Sequence, residues 1–331
     1  MPTVLITPEA MLHRPAPYVD MLREAGFDIR YPEDPHFTRG LGTESETIDQ
    51  LRGAAAVVAS GEFLTEKVML ALPELRVIAR SGVGYDRVDV EAASRRGIAV
   101  TITPTANHEA VAEFTLALMF AVAKQIVVGD GHARAGRWPR APMQPIRGKT
   151  LGIVGLGRIG RSTASRAKAL GMTVLAAEKF PNEEFVRAHG IELTDLDALL
   201  ARSDYVSLHC PHTVETRQVA NRGFFAKMKP GSVLINTARG ELVCEADLLS
   251  ALQSGHLRGA GLDVFEQEPP SPDNPLFKLA NVVVSPHIAG ADELSQLNMG
   301  IECARNIVQL SRGGWPEGAV VNNDLKGLFR W

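Results

Sequence analysis

The sequence predicts an α/β protein with parallel sheets, arranged in two lobes. Three observations carry this reading. Short apolar runs alternate with segments of helical period along most of the chain. One run opens directly into Gly155, Gly157 and Gly160 at G-x-G-x-x-G spacing. Later runs each stop at a polar cluster, as strands do where a parallel sheet presents its carboxyl edge to a ligand. With 331 residues, 45% hydrophobic and 22% charged, the chain can bury two cores.

In the first lobe, Val4–Ile6, Ala56–Ala59 and Arg76–Ala79 read as strands, with helices at Tyr18–Ala25 and Glu66–Leu72. The last of these strands runs into R-S-G-V-G-Y-D, Arg80 to Asp86. Glycines just past a strand's carboxyl end leave N–H groups free to face a small anion, although a tight turn would need glycine there too. Glu109 to Lys124 follows as a long apolar helix, with Asn107 as its expected N-cap and Glu109 and Glu113 near the positive end of its dipole. A helix this apolar must be covered on most sides, between domains or against another subunit. From Gly129 to Gly148 a loop rich in Gly, Arg and Pro is expected, carrying Trp138.

The second lobe opens on the glycine turn. Leu151 to Val154 reads as a buried strand and Ser162 to Leu170 as the helix that follows. Gly155 suits a tight turn, Gly157 the close approach of a pyrophosphate, and Gly160 the close packing of helix on sheet. The helix's amino end offers free N–H groups and a positive dipole to a diphosphate. A second strand, Thr173 to Ala177, ends at Glu178, eighteen residues after Gly160. An acid there can take both ribose hydroxyls of an adenosine and repel a 2′-phosphate, which favours NAD over NADP. The alternative is a solvated surface charge, and Lys179 beside it is the feature that would suit NADP.

Strand-like runs at Tyr205–Leu208, Val233–Asn236, Ala260–Leu262 and Val282–Ser285 alternate with helical segments such as Glu245–Ser254. They stop at H-C-P-H-T (209–213), N-T-A-R-G (236–240), D-V-F-E-Q-E-P (Asp263 to Pro269) and S-P-H-I-A-G (285–290). In a parallel sheet these clusters converge. Arg239 can grip a carboxylate with a bidentate fork, or form an ion pair at its turn. His287 can exchange a proton near neutral pH, or be a hydrogen-bonded structural histidine. Glu268 can orient that imidazole and favour its charged form, with Glu266 as a rival. A last helix, Leu294 to Ser311, is expected to return to the first lobe, with boundaries near Thr101 and Pro286.

Other chemistry is excluded on particular grounds. A formal net charge of −3 and a pI near 6.3 give no bulk attraction to nucleic acid or an anionic membrane. The longest apolar stretch, Phe114 to Ala123, is too short to span a bilayer, and the N-terminus lacks the pattern of a signal peptide. Cys210, Cys244 and Cys303 make an odd count without C-x-x-C, so neither a disulfide framework nor a metal site is expected, and a cytoplasmic location is the default. G-K-T at 148–150 precedes its strand and has Met143 where a phosphate loop needs glycine. His209, Cys210 and His212 lack a further zinc ligand at suitable spacing, and no G-x-S-x-G occurs.

Taken together, R-S-G-V-G-Y-D, G-K-T-L-G-I-V-G-L-G-R-I-G, H-C-P-H-T, N-T-A-R-G-E-L-V, G-L-D-V-F-E-Q-E-P and S-P-H-I-A-G make the chain resemble the D-isomer-specific 2-hydroxyacid dehydrogenases over nearly its full length. The resemblance implies two Rossmann-like lobes, flavodoxin-like and NAD-binding, with the cofactor lobe (102–286) inserted in the catalytic, substrate-binding lobe (1–101 with 287–331). It implies hydride transfer between NAD(H) and a small D-2-hydroxy acid or its 2-keto acid, and a homodimer formed through the cofactor lobe. Arg239 would bind the substrate's carboxylate and carbonyl, His287 would be the acid/base, and Glu268, immediately before its proline, would be preferred to Glu266 as its partner. Val83 and Gly84 would complete the carboxylate site through their backbone. Gly155, Gly157, Arg158, Ile159, Gly160, Glu178, His209, Cys210, Pro211, Thr237, Ala238, Arg239, Asp263 and His287 fall at cofactor positions. Ala177 and Lys179 replace the Tyr and Pro often found beside the ribose-binding acid. The chain leaves no room for the added regulatory domains of some phosphoglycerate dehydrogenases, so feedback through such a domain is not expected. Two other readings follow from the same likeness. One is an NAD(H)-dependent corepressor-like binding protein; the other, a formate dehydrogenase, is disfavoured because such enzymes have Gln where Glu268 stands.

Overall fold

The computed structural model describes residues 1–34, 37–38 and 42–331. The chain forms two compact units, one of Met1–Asn107 with Gly290–Trp331 and the other of His108–Ala289. In the first unit β1 (Thr3–Ile6), α1 (Pro17–Glu24), β2 (Asp28–Arg30), α2 (Glu44–Leu51), β3 (Ala54–Ala59), α3 (Glu66–Leu70), β4 (Val77–Arg80), α4 (Val90–Arg95) and β5 (Ala99–Thr101) alternate. The strands pair in parallel in the order β2-β1-β3-β4-β5, the doubly wound order of flavodoxin-like folds. All six residues of β3 are buried, which explains its unbroken apolar run: helices cover both faces of the sheet.

The second unit holds α5 (His108–Ala123), α6 (Ile126–Arg134), β6 (Thr150–Val154), α7 (Arg158–Ala169), β7 (Thr173–Ala177), α8 (Glu183–His189), β8 (Glu192–Leu193), α9 (Leu196–Arg202), β9 (Tyr205–Leu208), α10 (Arg222–Lys227), β10 (Ser232–Asn236), α11 (Glu245–Gln253), β11 (Leu257–Leu262) and β12 (Val282–Val284). Its seven strands are also parallel, in the order β12-β11-β10-β9-β6-β7-β8. A final helix, α12 (Glu293–Ser311), belongs to the first unit and lies on α1, where Gly300 admits the Tyr18 ring; a Cβ on that glycine would stand 2.4 Å from the ring.

The apolar helix α5 is covered by its own unit's sheet. A Cβ on Gly259 would stand 2.8 Å from Val122 and one on Gly261 would stand 3.0 Å from Leu118, so two glycines on one face of β11 let the helix lie close. Among the described residues no single helix is long and apolar enough to cross a membrane.

Four expectations shift. The dividing points fall at Asn107 and Ala289 rather than near Thr101 and Pro286. Ile102 N–H donates to Ala319 and Thr103 N–H to Gly82, which ties that stretch to the first unit, while the N–H groups of His287, Ile288 and Ala289 all donate to Asp263 of the second. The loop expected from Gly129 begins as helix, because Gln125 in the left-handed region (φ 50, ψ 41) ends α5 and starts α6 at a bend of 57°. Helix α7 starts at Arg158, directly on its glycine cap, instead of Ser162. Asn107 does not cap α5: its Oδ1 is buried without a hydrogen bond, and Glu109 and Glu113 pair with Arg166 of α7.

At the amino edge of the larger sheet, Asp204 joins three strands. Its carboxylate accepts from Thr150 N–H at 3.0 Å and Lys229 at 2.8 Å, its N–H donates to Thr150, and its carbonyl accepts from Val233. Burial alone would push this carboxyl up, but Lys229, the Thr150 amide and Lys149 outweigh it and hold it below the usual carboxylate range. A depressed folded-state pKa gives stability that is complete above the unfolded value of about 4 and is lost as pH falls through the folded one. Asp204→Asn should therefore cost about 1–3 kcal/mol in urea unfolding at neutral pH. The gap to the parent protein should close in acid; a gap independent of pH would contradict this account.

Candidate active site

Because all strands of the larger sheet are parallel, their carboxyl ends share one edge, and strand order fixes the sequence of loops along it. From one side come the loops after β12 with His287, after β11 with Asp263 and Glu268, and after β10 with Thr237 to Arg239. Next are the loops after β9 with His209 to Pro211, after β6 with the glycine turn, and after β7 with Glu178. The chain reverses its winding between β6 and β9, the point where such sheets leave a crevice.

The glycine turn lies in that crevice. Gly155 has φ +95, and a Cβ there would stand 2.6 Å from Cys210 N, so the turn is pressed against the His209–Cys210 backbone. His209 N–H donates to Val154, and its ring nitrogen Nε2 pairs with the Ser207 hydroxyl at 2.9 Å. Burial pushes this imidazole down to about 4, so it is neutral at physiological pH and acts as a packing and hydrogen-bonding group. Gly160 is equally constrained, its missing Cβ lying 2.2 Å from Gly155 O, whereas a Cβ on Gly157 would meet nothing within 4 Å. Only Gly157 faces open space, at the cap of α7, beside exposed Arg158 and half-buried Ile159. Glu178 stands next to this turn, its Oε2 accepting from Leu156 N–H at 2.6 Å and its Oε1 from Phe180 N–H at 2.9 Å. An open cradle at a helix amino end with a carboxylate at the next strand end fits a dinucleotide's diphosphate and ribose.

The other end of the edge holds the ionisable groups. His287 Nδ1 lies 2.7 Å from Glu268 Oε2. A carboxylate only accepts, so Nδ1 carries the proton and Nε2 is left for a reactant. Glu268 Oε1 also accepts from Phe265 N–H at 3.2 Å. Glu266, by contrast, is exposed and accepts from Gln218 at 2.8 Å. Arg239 is brought to this loop by close backbone packing, since a Cβ on its neighbour Gly240 would overlap Phe265 O at 1.8 Å. The Asn236 side chain brackets the turn, donating to Arg239 O at 2.8 Å and accepting from Ala238 N–H at 3.0 Å. Thr237 turns its hydroxyl inward to Thr115 at 2.8 Å.

His287 has φ 55, a backbone region that non-glycine residues adopt only when their surroundings require it. Asp263 supplies that requirement. Its carbonyl accepts from His287 N–H at 2.8 Å, and its fully buried carboxylate accepts from Ser285 Oγ at 2.5 Å, Ile288 N–H at 3.0 Å and Ala289 N–H at 2.8 Å. Sequence reading placed Asp263 among cofactor positions; in the fold it holds the loop that carries His287. Asn236 and Ser285 were not singled out, although each occupies the polar cluster at its strand's end.

Val83 and Gly84 belong to the other unit, in the loop after β4. The carbonyl of Gly82 accepts from Thr103 N–H at 3.0 Å and that of Gly84 from Arg80 Nε at 3.1 Å. Among the described residues the N–H groups of Val83 and Gly84 have no protein acceptor. Consecutive free amides of this kind form a small anion seat.

The fold and this edge define a nicotinamide-dinucleotide-binding protein of the doubly wound class. The family model described as D-isomer specific 2-hydroxyacid dehydrogenase, NAD binding domain, matches residues 116–289, and the chain belongs to that family. It is 44% identical over 266 residues to a glyoxylate reductase of Korarchaeum cryptofilum, covering 78% of this chain and 80% of that protein. It is 41% identical over 297 residues to a D-3-phosphoglycerate dehydrogenase of Archaeoglobus fulgidus, covering 89% of this chain and 55% of that one. The chain thus spans about half the length of the curated phosphoglycerate dehydrogenases it matches. Among solved structures, the TT0316 protein of Thermus thermophilus superposes with a TM-score of 0.85 at 38% identity, covering 96% of this chain and 100% of that one. The Aquifex aeolicus D-lactate dehydrogenase, solved with NAD and lactic acid, gives 0.82 at 29% identity over 97% of this chain and 99% of that one.

Gly157→Ala tests the cradle without disturbing the fold, because the added methyl meets no protein atom. Thermal stability should stay unchanged while NADH binding weakens about tenfold or more, as expected when a side chain intrudes on a phosphate approach. Unchanged NADH affinity by fluorescence titration would show that the dinucleotide does not lie there.

Proposed function

We propose that the protein is an NAD(H)-dependent oxidoreductase that interconverts a small D-2-hydroxy acid and the corresponding 2-keto acid. The observation that carries this reading is the Glu268–His287 pair, 2.7 Å apart, on the loops beside that of Arg239 at one end of a dinucleotide-binding edge. When bound, the nicotinamide supplies or accepts the hydride at the substrate's C2. Arg239 grips the carboxylate with its fork and polarises the neighbouring carbonyl oxygen. His287 Nε2 gives that oxygen its proton during reduction and removes it during oxidation. Glu268 holds the ring through Nδ1 and so turns Nε2 toward the reacting oxygen. Val83 and Gly84 offer N–H groups to the substrate carboxylate. Glu178 supports NAD over NADP, because a carboxylate beside the Leu156 amide would repel a 2′-phosphate.

We also propose a homodimer formed through the second unit. From Ala133 to Met143 every residue is exposed, and Ile126, Val127, Trp138 and Met143 are each more than half exposed, a density of open apolar surface that a partner would cover. A cytoplasmic location belongs to the same proposal and rests on the three free cysteines.

A panel of 2-keto acids assayed with NADH and NADPH tests the chemistry, the cofactor and the substrate together. Reduction consumes a proton and oxidation releases one, so the reductive rate should peak at lower pH than the oxidative rate. His287→Ala should lower kcat by about a hundredfold or more with NADH affinity retained. Identical pH profiles in both directions, or an active His287→Ala variant, would remove His287 from the mechanism. For the assembly, sedimentation should report a dimer, and Val127→Asp with Trp138→Asp should convert it to a monomer; a monomeric parent protein would refute the interface.

A further inference from the structure

Of the residues that α5 buries, Thr115 is the one with a polar side chain, and the mechanism above does not use it. Its place along the helix follows from the packing on β11. Val122 lies against Gly259 and Leu118 against Gly261, so the helix runs antiparallel to that strand, with its amino end at the carboxyl edge. Side chains three or four apart share a helix face, and Thr115 is the next step on this face beyond Leu118. The face that packs with apolar groups along the sheet therefore presents a hydroxyl where the strands end. There it meets Thr237, the first residue past β10.

The direction of the hydrogen bonds follows from the groups themselves. Thr115 Oγ1 donates to Val111 O at 2.8 Å, since a carbonyl oxygen can only accept. A hydroxyl has one hydrogen, so across the 2.8 Å to Thr237 Oγ1 it is Thr115 that accepts and Thr237 that donates. The two residues are 1% and 7% exposed, and removing the acceptor would strand the Thr237 hydroxyl away from water. In the same turn Asn236 holds Ala238 N–H and Arg239 O, and Arg239 Nη1 donates to Ala238 O at 2.6 Å. Asn236 is local to the turn, whereas Thr115 ties it to a helix on the face of the sheet. That helix is also tied to α7: Glu109 Oε2 accepts from Ser162 Oγ at 3.0 Å, and Glu113 pairs with Arg166 at 3.2 Å. Because α7 starts at the Gly157 cap, α5 touches the supports of both ends of the dinucleotide-binding edge.

We propose that Thr115 is a positioning residue: by accepting the Thr237 hydroxyl it fixes the turn that carries Arg239, and it refers that turn, through a rigid helix, to α7 and its glycine cap. This rests on the proposed 2-hydroxyacid dehydrogenase reading, in which Arg239 grips the substrate, and extends it to a residue that touches no reactant. Hydride transfer needs the keto acid held at a set distance from the nicotinamide, so a turn that drifts relative to the cradle costs rate even with every reacting group present.

The test uses the full-length protein, the best 2-keto acid from the panel, and the variants Thr115→Val, Thr115→Ser, Thr237→Val and the double valine variant. Thr115→Val keeps the side chain's shape and removes the acceptor; Thr115→Ser keeps the hydroxyl and loses the methyl. The first should lower kcat/KM for the keto acid about tenfold, the loss expected when one buried hydrogen bond no longer holds the turn, with NADH affinity retained. Thr115→Ser should keep kcat/KM near the parent value although it packs less well, a rescue that a purely structural role would not give. The double variant should be no worse than the poorer single, because both changes break one bond. Unchanged kcat/KM in Thr115→Val, equal damage in Thr115→Ser, or effects that multiply would overturn the proposal. Should Thr115→Val fail to fold, Thr237→Val breaks the same bond and leaves Thr115 satisfied by Val111; its kcat/KM must fall, and an unaltered value is equally decisive. If the parent protein turns over no 2-keto acid, the functional reading itself fails and this inference falls with it, whereas an active parent with an unimpaired Thr115→Val variant sinks this inference alone.

Discussion

A strand that pairs in parallel with its predecessor must be reached by a crossover, and every crossover returns the chain to the same starting edge. Among the described residues twelve strands obey that constraint in two sheets, and each candidate functional group considered above depends on it. Residues as distant in sequence as Gly155 and His287 reach one edge of the second unit because all its strands end there. Neighbouring strands β10, β11 and β12 set the arginine, the acid and the histidine side by side, while β6 and β7 place the glycine turn and Glu178 at the other end. A dinucleotide is long and has its reactive ring at one end, and this spacing is what the proposed roles of Glu178 at the ribose and of His287 as proton carrier require.

Within that frame, acids do most of the local positioning. Asp263, Asp204, Glu178 and Glu62 all accept from backbone N–H groups of loops or strand ends. A carboxylate has two oxygens with several lone pairs and can collect amides that no secondary structure satisfies. At Asp263 this serves a conformational end, since His287 stands in a backbone region it would otherwise avoid. The same economy of parts explains why Glu268 rather than Glu266 meets the histidine: two residues along the loop, the neighbouring acid faces Gln218 instead.

Several glycines are required by the protein's own packing, and Gly157 is not among them. Gly155, Gly160, Gly240 and Gly261 sit where a Cβ would strike backbone or helix, so the fold alone accounts for them. A Cβ on Gly157 would meet nothing, which is what the proposed approach of a dinucleotide to the helix cap requires.

The sequence by itself determined the fold class, the alternation of elements and the identity of the strand-end clusters, because those depend on local periodicity and on residues such as glycine whose role is tied to backbone geometry. It also made Arg239, Glu268 and His287 legible, through long motifs whose order resembles one family. It did not determine where the units part, since that depends on which amides the Asp263 carboxylate collects and on the pairing of Ile102 with Ala319. It did not show that α6, starting at Ile126, runs on into the expected glycine-rich loop, because the break at Gln125 is a tertiary adjustment. Nor could it reveal that Glu62, one acid among thirty-eight acidic residues, is buried against Thr7. Burial and pairing between strand ends fifty-five residues apart are properties of the packed chain, and only the tertiary structure decided them.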